Sequence, residues 1–396
     1  MPDDSTAVTP PPSLHPGLSQ MLLHMARIKA SDLYLTVGSP PVFRVDGVGH
    51  AGRVALDAHA IDEMAESLMS EDQRREFHST HELNLAVMID EQSRFRINVF
   101  RQRGATGMVA RMIHTKIPTL ADLRLPDVLR QVALSKRGLV LVVGSTGSGK
   151  STTLAAMIDA RNDAATGHIV TIEDPIEFIH PHKKCVVTQR EVGTDTLSYQ
   201  HALKNTLRQA PDLILIGEIR DESTMAAAIE FAETGHLCLS TLHSNNASQA
   251  IERVLNFFPP SRQQEIRLQL SLNLRAIVSQ RLVPAIGGGR AAVLEILLDT
   301  PRIRDLIKRG EIDAIPDAME QSSVDGCATF DTSLLNLAVA GRISPEEALR
   351  NADRPNDLRL RLDRARQAGG VPPVSVAEDR PLRLVTPDNG RPAIRR

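Results

Sequence analysis

The sequence predicts an α/β fold built on a buried parallel sheet, preceded by a smaller α+β domain. Three observations carry this reading. Four apolar runs of strand length, LVLVV, HIVTI, DLILIG and HLCLST, lie between residues 139 and 241 with helical segments spacing them, as in strands covered on both faces. A glycine-rich loop, Gly144-Ser145-Thr146-Gly147-Ser148-Gly149-Lys150-Ser151-Thr152, follows the first run and opens the helix STTLAAMIDA. Upstream of residue 117, short segments instead alternate apolar and polar residues, as half-buried strands do.

In chain order, residues 1–15 are rich in Pro, Ser and Thr and are expected to be disordered. Leu18, Met21, Leu22, Met25 and Ile28 recur at the helical period. DLYLTV at Asp32–Val37 and the following VFRVDG read as strands, with Asp46-Gly47 as a hairpin turn. A helical stretch fills roughly Ala58–Phe77, and ELNLAVMI, RFRINVF and GMVARMI read as further strands, closing a domain over 16–117. A linker over 118–138 contains LADLRLPDVL, the core with the parallel sheet spans 139–285, and 286–365 is mainly helical. Within the last region, Ser344-Pro345-Glu346-Glu347 is a capping box with Pro at the first helical position. The tail 366–396 has no sustained periodicity and many Pro and Gly, and is expected to be disordered.

Composition narrows the function. At 396 residues the chain is long enough for two or three domains, and 42% hydrophobic with 24% charged residues is ordinary for a globular protein. No apolar run approaches the roughly 20 residues of a membrane span, and MPDDSTAVTPPP does not read as a signal peptide, so a cytoplasmic location is expected. A formal charge of −2, no Trp and only two Tyr supply neither a basic field nor a stacking surface, so no nucleic-acid partner is expected. Cys185, Cys238 and Cys327 form no CxxC pair, which points to buried thiols rather than a disulfide framework or zinc site.

The glycine-rich loop is a P-loop by pattern and by its strand–loop–helix context. Its glycines let backbone N–H groups curl around phosphate, and the helix N-terminus adds its positive dipole end. Lys150 would supply a cation to the β- and γ-phosphates of ATP and Ser151 a hydroxyl to Mg²⁺. Acids are then needed, and two end predicted strands: Glu177 in TIEDPIE, after Pro175 breaks the strand, and Glu218 in DLILIGE. Taken alone, each reads as a solvated acid at a strand end, and the P-loop is what makes them candidate site acids. His236 and His243 bracket HLCLST, and His243 is read either as a site residue or as a structural histidine. Arg96 in RFRINVF and Arg111 in GMVARMI lie off the apolar face of their strands. In a tight hairpin centred between Arg103 and Gly104 they face one another, which is unfavourable unless a bound phosphate or solvent relieves the repulsion.

The segments GSTGSGKSTTLAAMI, TIEDPIEFIH, LRQAPDLILIGEIRD and ETGHLCLSTLH, in this order, resemble the Walker A, Asp box, Walker B and His box of the secretion and pilus ATPases. Weaker similarity runs from SDLYLTVGSPPVFRVDG to FDTSLLNLAVAGRISPEEAL, so the resemblance covers roughly residues 16–363. It implies a PAS-like N-terminal domain, a RecA-like ATPase domain and a hexameric ring. By motif position it implies that Lys150 and Ser151 bind ATP and Mg²⁺, that Glu177 activates water, and that Glu218 is the Walker B acid. It also implies that His243 sits near the γ-phosphate, and that Arg96 and Arg111 reach the nucleotide from the N-terminal domain. Gly217 precedes Glu218 where many Walker B segments carry Asp, so the division of roles between Glu177 and Glu218 stays open. With no tetracysteine module, and with VTQREVGTDTLSY and ALKNTLRQAPD, the chain resembles the retraction branch, PilU more than PilT. RIRDLIKRG at Arg302–Gly310 departs from the AIRNLIRE motif of PilT. The resemblance implies a motor for pilus retraction at the inner membrane, acting on a platform protein, alone or beside a PilT-like partner. A DNA translocase on the same core and a non-hydrolysing structural subunit are the alternatives.

Overall fold

A computed structural model describes residues 14–367 except 46, 91–92, 114–115 and 323–325. The expected disorder of 1–15 and 366–396 therefore falls almost wholly outside the described residues. These divide into two compact units: the first runs through Leu282 and includes Leu294–Thr329, and the second comprises Val283–Val293 and the residues from Phe330 on.

The first unit opens with a six-stranded antiparallel sheet of β1 (Asp32–Thr36), β2 (Val42–Val45), β3 (Val48–Ala51), β4 (Glu82–Asp90), β5 (Ser93–Gln102) and β6 (Ala105–Ile113), in the order β3-β2-β1-β6-β5-β4. Alternation sorts its faces: Phe95, Ile97 and Val99 of β5 and Leu83, Leu85 and Val87 of β4 are buried with Leu18, Leu22 and Met25 of the helix Pro16–Arg27. The helical stretch expected over Ala58–Phe77 is two helices, Ala58–Glu66 and Glu71–Thr80. Ser70 starts the second with a reciprocal capping box, accepting from Gln73 N while the Gln73 side chain accepts from Ser70 N, and this start signal outweighs the apolar continuity.

The second sheet is formed by β7 (Gly138–Val143), β8 (Gly167–Glu173), β9 (Cys185–Glu191), β10 (Leu213–Ile216), β11 (Leu237–Leu242), β12 (Leu274–Pro284) and β13 (Arg290–Leu298), ordered β13-β12-β7-β11-β10-β8-β9. From β12 to β9 the neighbours pair in parallel. Burial on both faces explains the continuous apolar runs: Leu139, Leu141 and Val143 of β7 enter one core cluster and Val140 and Val142 another. The strands β9, β12 and β13 carry polar residues among the apolar ones and lack the run pattern that marks the others.

In the second unit, Val283 and Val293 pack with Phe330, Leu334, Ile343, Leu358 and Leu362. Ser344 caps the helix Pro345–Arg350, accepting from Glu347 N, with Pro345 at the first position.

The hairpin between β5 and β6 turns at Arg103 and Gly104, both at positive φ, and its register sets Arg96 opposite Arg111. The compensating anion comes from the protein itself. Asp32 of β1 lies across from Arg111 on the other side and accepts from its Nε at 2.8 Å. Asp32 is buried and also accepts from Ser31 Oγ, so it corrects the expectation that only phosphate or solvent relieves this pair. Arg111→Ala should therefore lower stability by about 1 kcal/mol or more, because the arginine is exposed but the Asp32 carboxylate it leaves behind is buried. Urea unfolding of the nucleotide-free protein measures this, and an unchanged or raised midpoint would return the pair to simple repulsion.

Candidate functional site

The P-loop leaves the end of β7 and becomes the helix Lys150–Ala164 at Gly149. Gly144 and Gly149 take φ of +151° and +90°, and a Cβ on either would meet Gln280 atoms at 2.5 and 2.7 Å. Gly147, at φ +78°, has open space where a side chain would stand. Gln280 braces the loop from β12: its Nε2 donates to Ser148 O at 2.7 Å and its Oε1 accepts from Thr153 Oγ1 at 2.7 Å. Lys150 folds onto the loop, its Nζ donating to Gly144 O and Ser145 O at 2.9 and 3.0 Å. Burial lowers the pKa of its ammonium, and the charges of Glu218 and Glu177 act in the opposite sense.

A cleft of about 220 Å³ opens beside the loop. Thr146, Gly147, Lys150 and Ser151 line one side, and Glu177, Glu218 and His243 line others. Gly144 and Ser145 border a separate, more open polar groove that His243 also lines. Ser148, Gly149 and Thr152 line neither, and Ser148 Oγ is buried without a hydrogen-bond partner among the described residues. The three side chains across from the loop all come from the C-terminal ends of strands: Glu177 follows β8, Glu218 follows β10 and His243 follows β11. His243 lines the cleft, and its Nε2 lies 3.1 Å from Glu218 Oε1. His236 is structural, its Nδ1 lying 3.2 Å from Phe231 O and 3.1 Å from Thr234 Oγ1.

The loop carrying Glu177 is held from the edge strand β9. Gln189 Nε2 donates to Phe178 O at 2.9 Å, its Oε1 accepts from His180 N at 2.8 Å, and Glu191 Oε2 accepts from Ile176 N at 3.1 Å. Arg96 and Arg111 do not line the cleft, but the charge of Glu177 reaches Arg111.

Three residues that line the cleft, Glu173, His180 and Tyr199, escaped the sequence reading, as did Arg220, which contacts Glu218. Glu173 ends β8, accepts from Thr171 Oγ1 at 2.7 Å, and burial pushes its carboxyl up to about 7. Burial and the charge of Lys183 lower the His180 imidazole to about 4, and its Nδ1 is buried without a partner among the described residues. Burial also pushes up the Tyr199 hydroxyl. Arg220 forks onto Glu218. Glu173 and His180 stand inside the quoted TIEDPIEFIH, but only burial distinguishes them. Gln280 has no sequence signal at all.

A glycine-walled loop at a helix N-terminus, with a lysine and strand-end acids facing it, fits a nucleoside polyphosphate, and the hydroxyl of Ser151 with the carboxylate of Glu218 is the hard-oxygen set that Mg²⁺ takes. Such a site defines a P-loop nucleotide-binding protein. The chain belongs to the type II/IV secretion system protein family, which matches residues 18–288. It is 52% identical to the type IV pilus ATPase PilU of Pseudomonas aeruginosa over 87% of this chain and 90% of that protein. It is 42% identical to the type IV pilus retraction ATPase PilT of the same organism, over 86% and 99%. A crystal structure of the pilus retraction motor PilT with bound ADP superposes with a TM-score of 0.80 at 39% identity, covering 87% of this chain and 99% of that one. The chain thus stands among the nucleotide-binding ATPases of that family, with more identity to PilU than to PilT, in keeping with its motif segments.

The raised Glu173 has a stability consequence. Its folded pKa lies above the unfolded value of 4.5, so the native state holds the extra proton and loses stability as pH rises from about 4.5 through 7. Glu173→Gln keeps the neutral form at all pH and should flatten that decline in a pH series of thermal unfolding. An unchanged slope would show that Glu173 is ionised in the folded protein throughout.

Proposed function

We propose that this chain is a Mg²⁺-dependent ATP-hydrolysing motor that powers or assists type IV pilus retraction, in the manner of PilU. The observation that carries this is the convergence of Lys150, Ser151, Glu177, Glu218 and His243 on one cleft at the ends of adjacent strands. In this reading Lys150 leaves the carbonyls of Gly144 and Ser145 for the β- and γ-phosphates, and the amides of Gly144–Thr152 cradle them. Ser151 and, through water, Glu218 would hold Mg²⁺, which would neutralise phosphate charge. Glu177 orients and deprotonates the attacking water, and His243, through its contact with Glu218, faces the γ-phosphate position. Arg96 and Arg111 approach the phosphates from the N-terminal domain, Arg111 remaining tied to Asp32 while it responds to the charge beside Glu177.

The working form is a homo-hexamer in the cytoplasm, docked at the inner membrane on a pilus platform protein, beside a PilT-like ATPase where one is present. In support, no described helix is long and apolar enough to cross a membrane. The net charge of −2 gives no reason to add nucleic acid to the partners.

The test is retraction by cells whose only copy of this protein carries Glu177→Gln. This change should leave ATP binding intact and slow hydrolysis by roughly 10²-fold or more, the scale lost with a general base. Retraction should fall, completely where this chain works alone and in part where a PilT-like partner is present. Normal retraction both with and without that partner would remove the chain from the pilus motor, and DNA-stimulated hydrolysis would favour a translocase.

A further inference from the structure

Glu218 is the acid placed to reach the metal, yet both of its oxygens are engaged. Oε2 accepts from Arg220 Nε at 2.8 Å and lies 2.7 Å from Arg220 Nη2, while Oε1 faces His243 Nε2 at 3.1 Å. A carboxylate oxygen that accepts two charged N–H groups cannot present the same lone pairs to the water shell of a cation. Arg220 is the solvent-exposed partner: its side chain is 61% exposed against 20% for Glu218. It stands just before Asp221, the cap of the helix Glu222–Glu233, and the charge of a second acid, Asp174, reaches it. Lys150 shows the same behaviour across the cleft, folded onto loop carbonyls rather than directed into open space.

We propose that Arg220 is a positioning residue that occupies Glu218 in place of Mg²⁺, so that engagement of a Mg²⁺–nucleotide requires Arg220 to release the carboxylate. This rests on the nucleotide reading above and adds a competitor to it. Arg220 has no role toward phosphate in this scheme. It sets how much Mg²⁺ is needed before Glu218 joins the site, and its release makes the segment leading into the helix Glu222–Glu233 responsive to the metal.

The test is a Mg²⁺ titration of the full chain binding a fluorescent ADP, mant-ADP, with a parallel ADP titration in EDTA. Loss of an exposed forked pair is worth about fivefold, so Arg220→Ala should lower the half-saturating Mg²⁺ concentration by about that factor. Arg220→Lys, which keeps the charge but not the fork, should fall between Arg220→Ala and the wild type, and it remains informative if the alanine variant folds poorly. Affinity in EDTA should be equal in all three. The gain should vanish when Glu218→Gln is added to Arg220→Ala. A raised or unchanged Mg²⁺ midpoint would overturn the proposal, since Arg220 would then be aiding Glu218 or be idle. A changed affinity in EDTA would overturn it too, by showing direct phosphate contact. If the wild type binds no mant-ADP under either condition, the nucleotide reading itself fails. Binding without the predicted shift defeats this inference alone.

Discussion

The turn between Val143 and Lys150 is the constraint on which the site depends. The backbone must leave a fully buried strand and enter a helix within a few residues, and it does so through glycines at φ values that other residues rarely adopt. Gln280 then fixes the result. It reaches the loop because β12 pairs in parallel with β7, so the sheet order brings a side chain from far along the chain against Ser148 and Thr153. Both polar ends of Gln280 are satisfied and the residue is buried, which makes the contact specific as well as favourable. With the loop shaped in this way, the helix N-terminus points at the ends of β8, β10 and β11, where the acids and His243 arrive.

Around that fixed loop the charged groups balance one another locally. Lys150 rests on carbonyls, Glu218 on Arg220 and His243, and Arg111 on Asp32. In the proposed function, the contacts of Lys150 and Glu218 are the ones that a polyphosphate and a cation would exchange, while Arg111 keeps Asp32. Pairing these charges locally lowers the cost of holding them in the cleft, and it makes the arrival of ligand a rearrangement of ion pairs. Glu173 is the exception, a carboxyl that burial keeps near neutrality beside Glu177.

Much of this was legible in the sequence because the relevant signals are local. The P-loop, the strand-end acids and the apolar runs of β7, β8, β10 and β11 each sit within a dozen residues, and a hairpin centred between Arg103 and Gly104 sets Arg96 opposite Arg111. What was hidden is long-range. Asp32 pairs with Arg111 only because β1 and β6 are neighbours, and Gln189 and Glu191 matter only because β9 lies beside β8. Glu173 and His180 were in view as letters, but their shifted proton affinities come from burial, which a motif does not encode. The break at Ser70 is a local capping box, which the reading of one helical stretch over Ala58–Phe77 passed over.

If Gln280 holds the P-loop in shape before any nucleotide arrives, ADP affinity depends on its two hydrogen bonds. Calorimetric titration of ADP into the wild type and into Gln280→Leu tests it directly, with thermal unfolding to confirm that the variant is folded. Two buried hydrogen bonds are lost, so a folded variant should bind ADP at least about tenfold more weakly. Equal ADP affinity in the two folded proteins would contradict the claim and show that the loop takes its shape from its glycines and the phosphate alone.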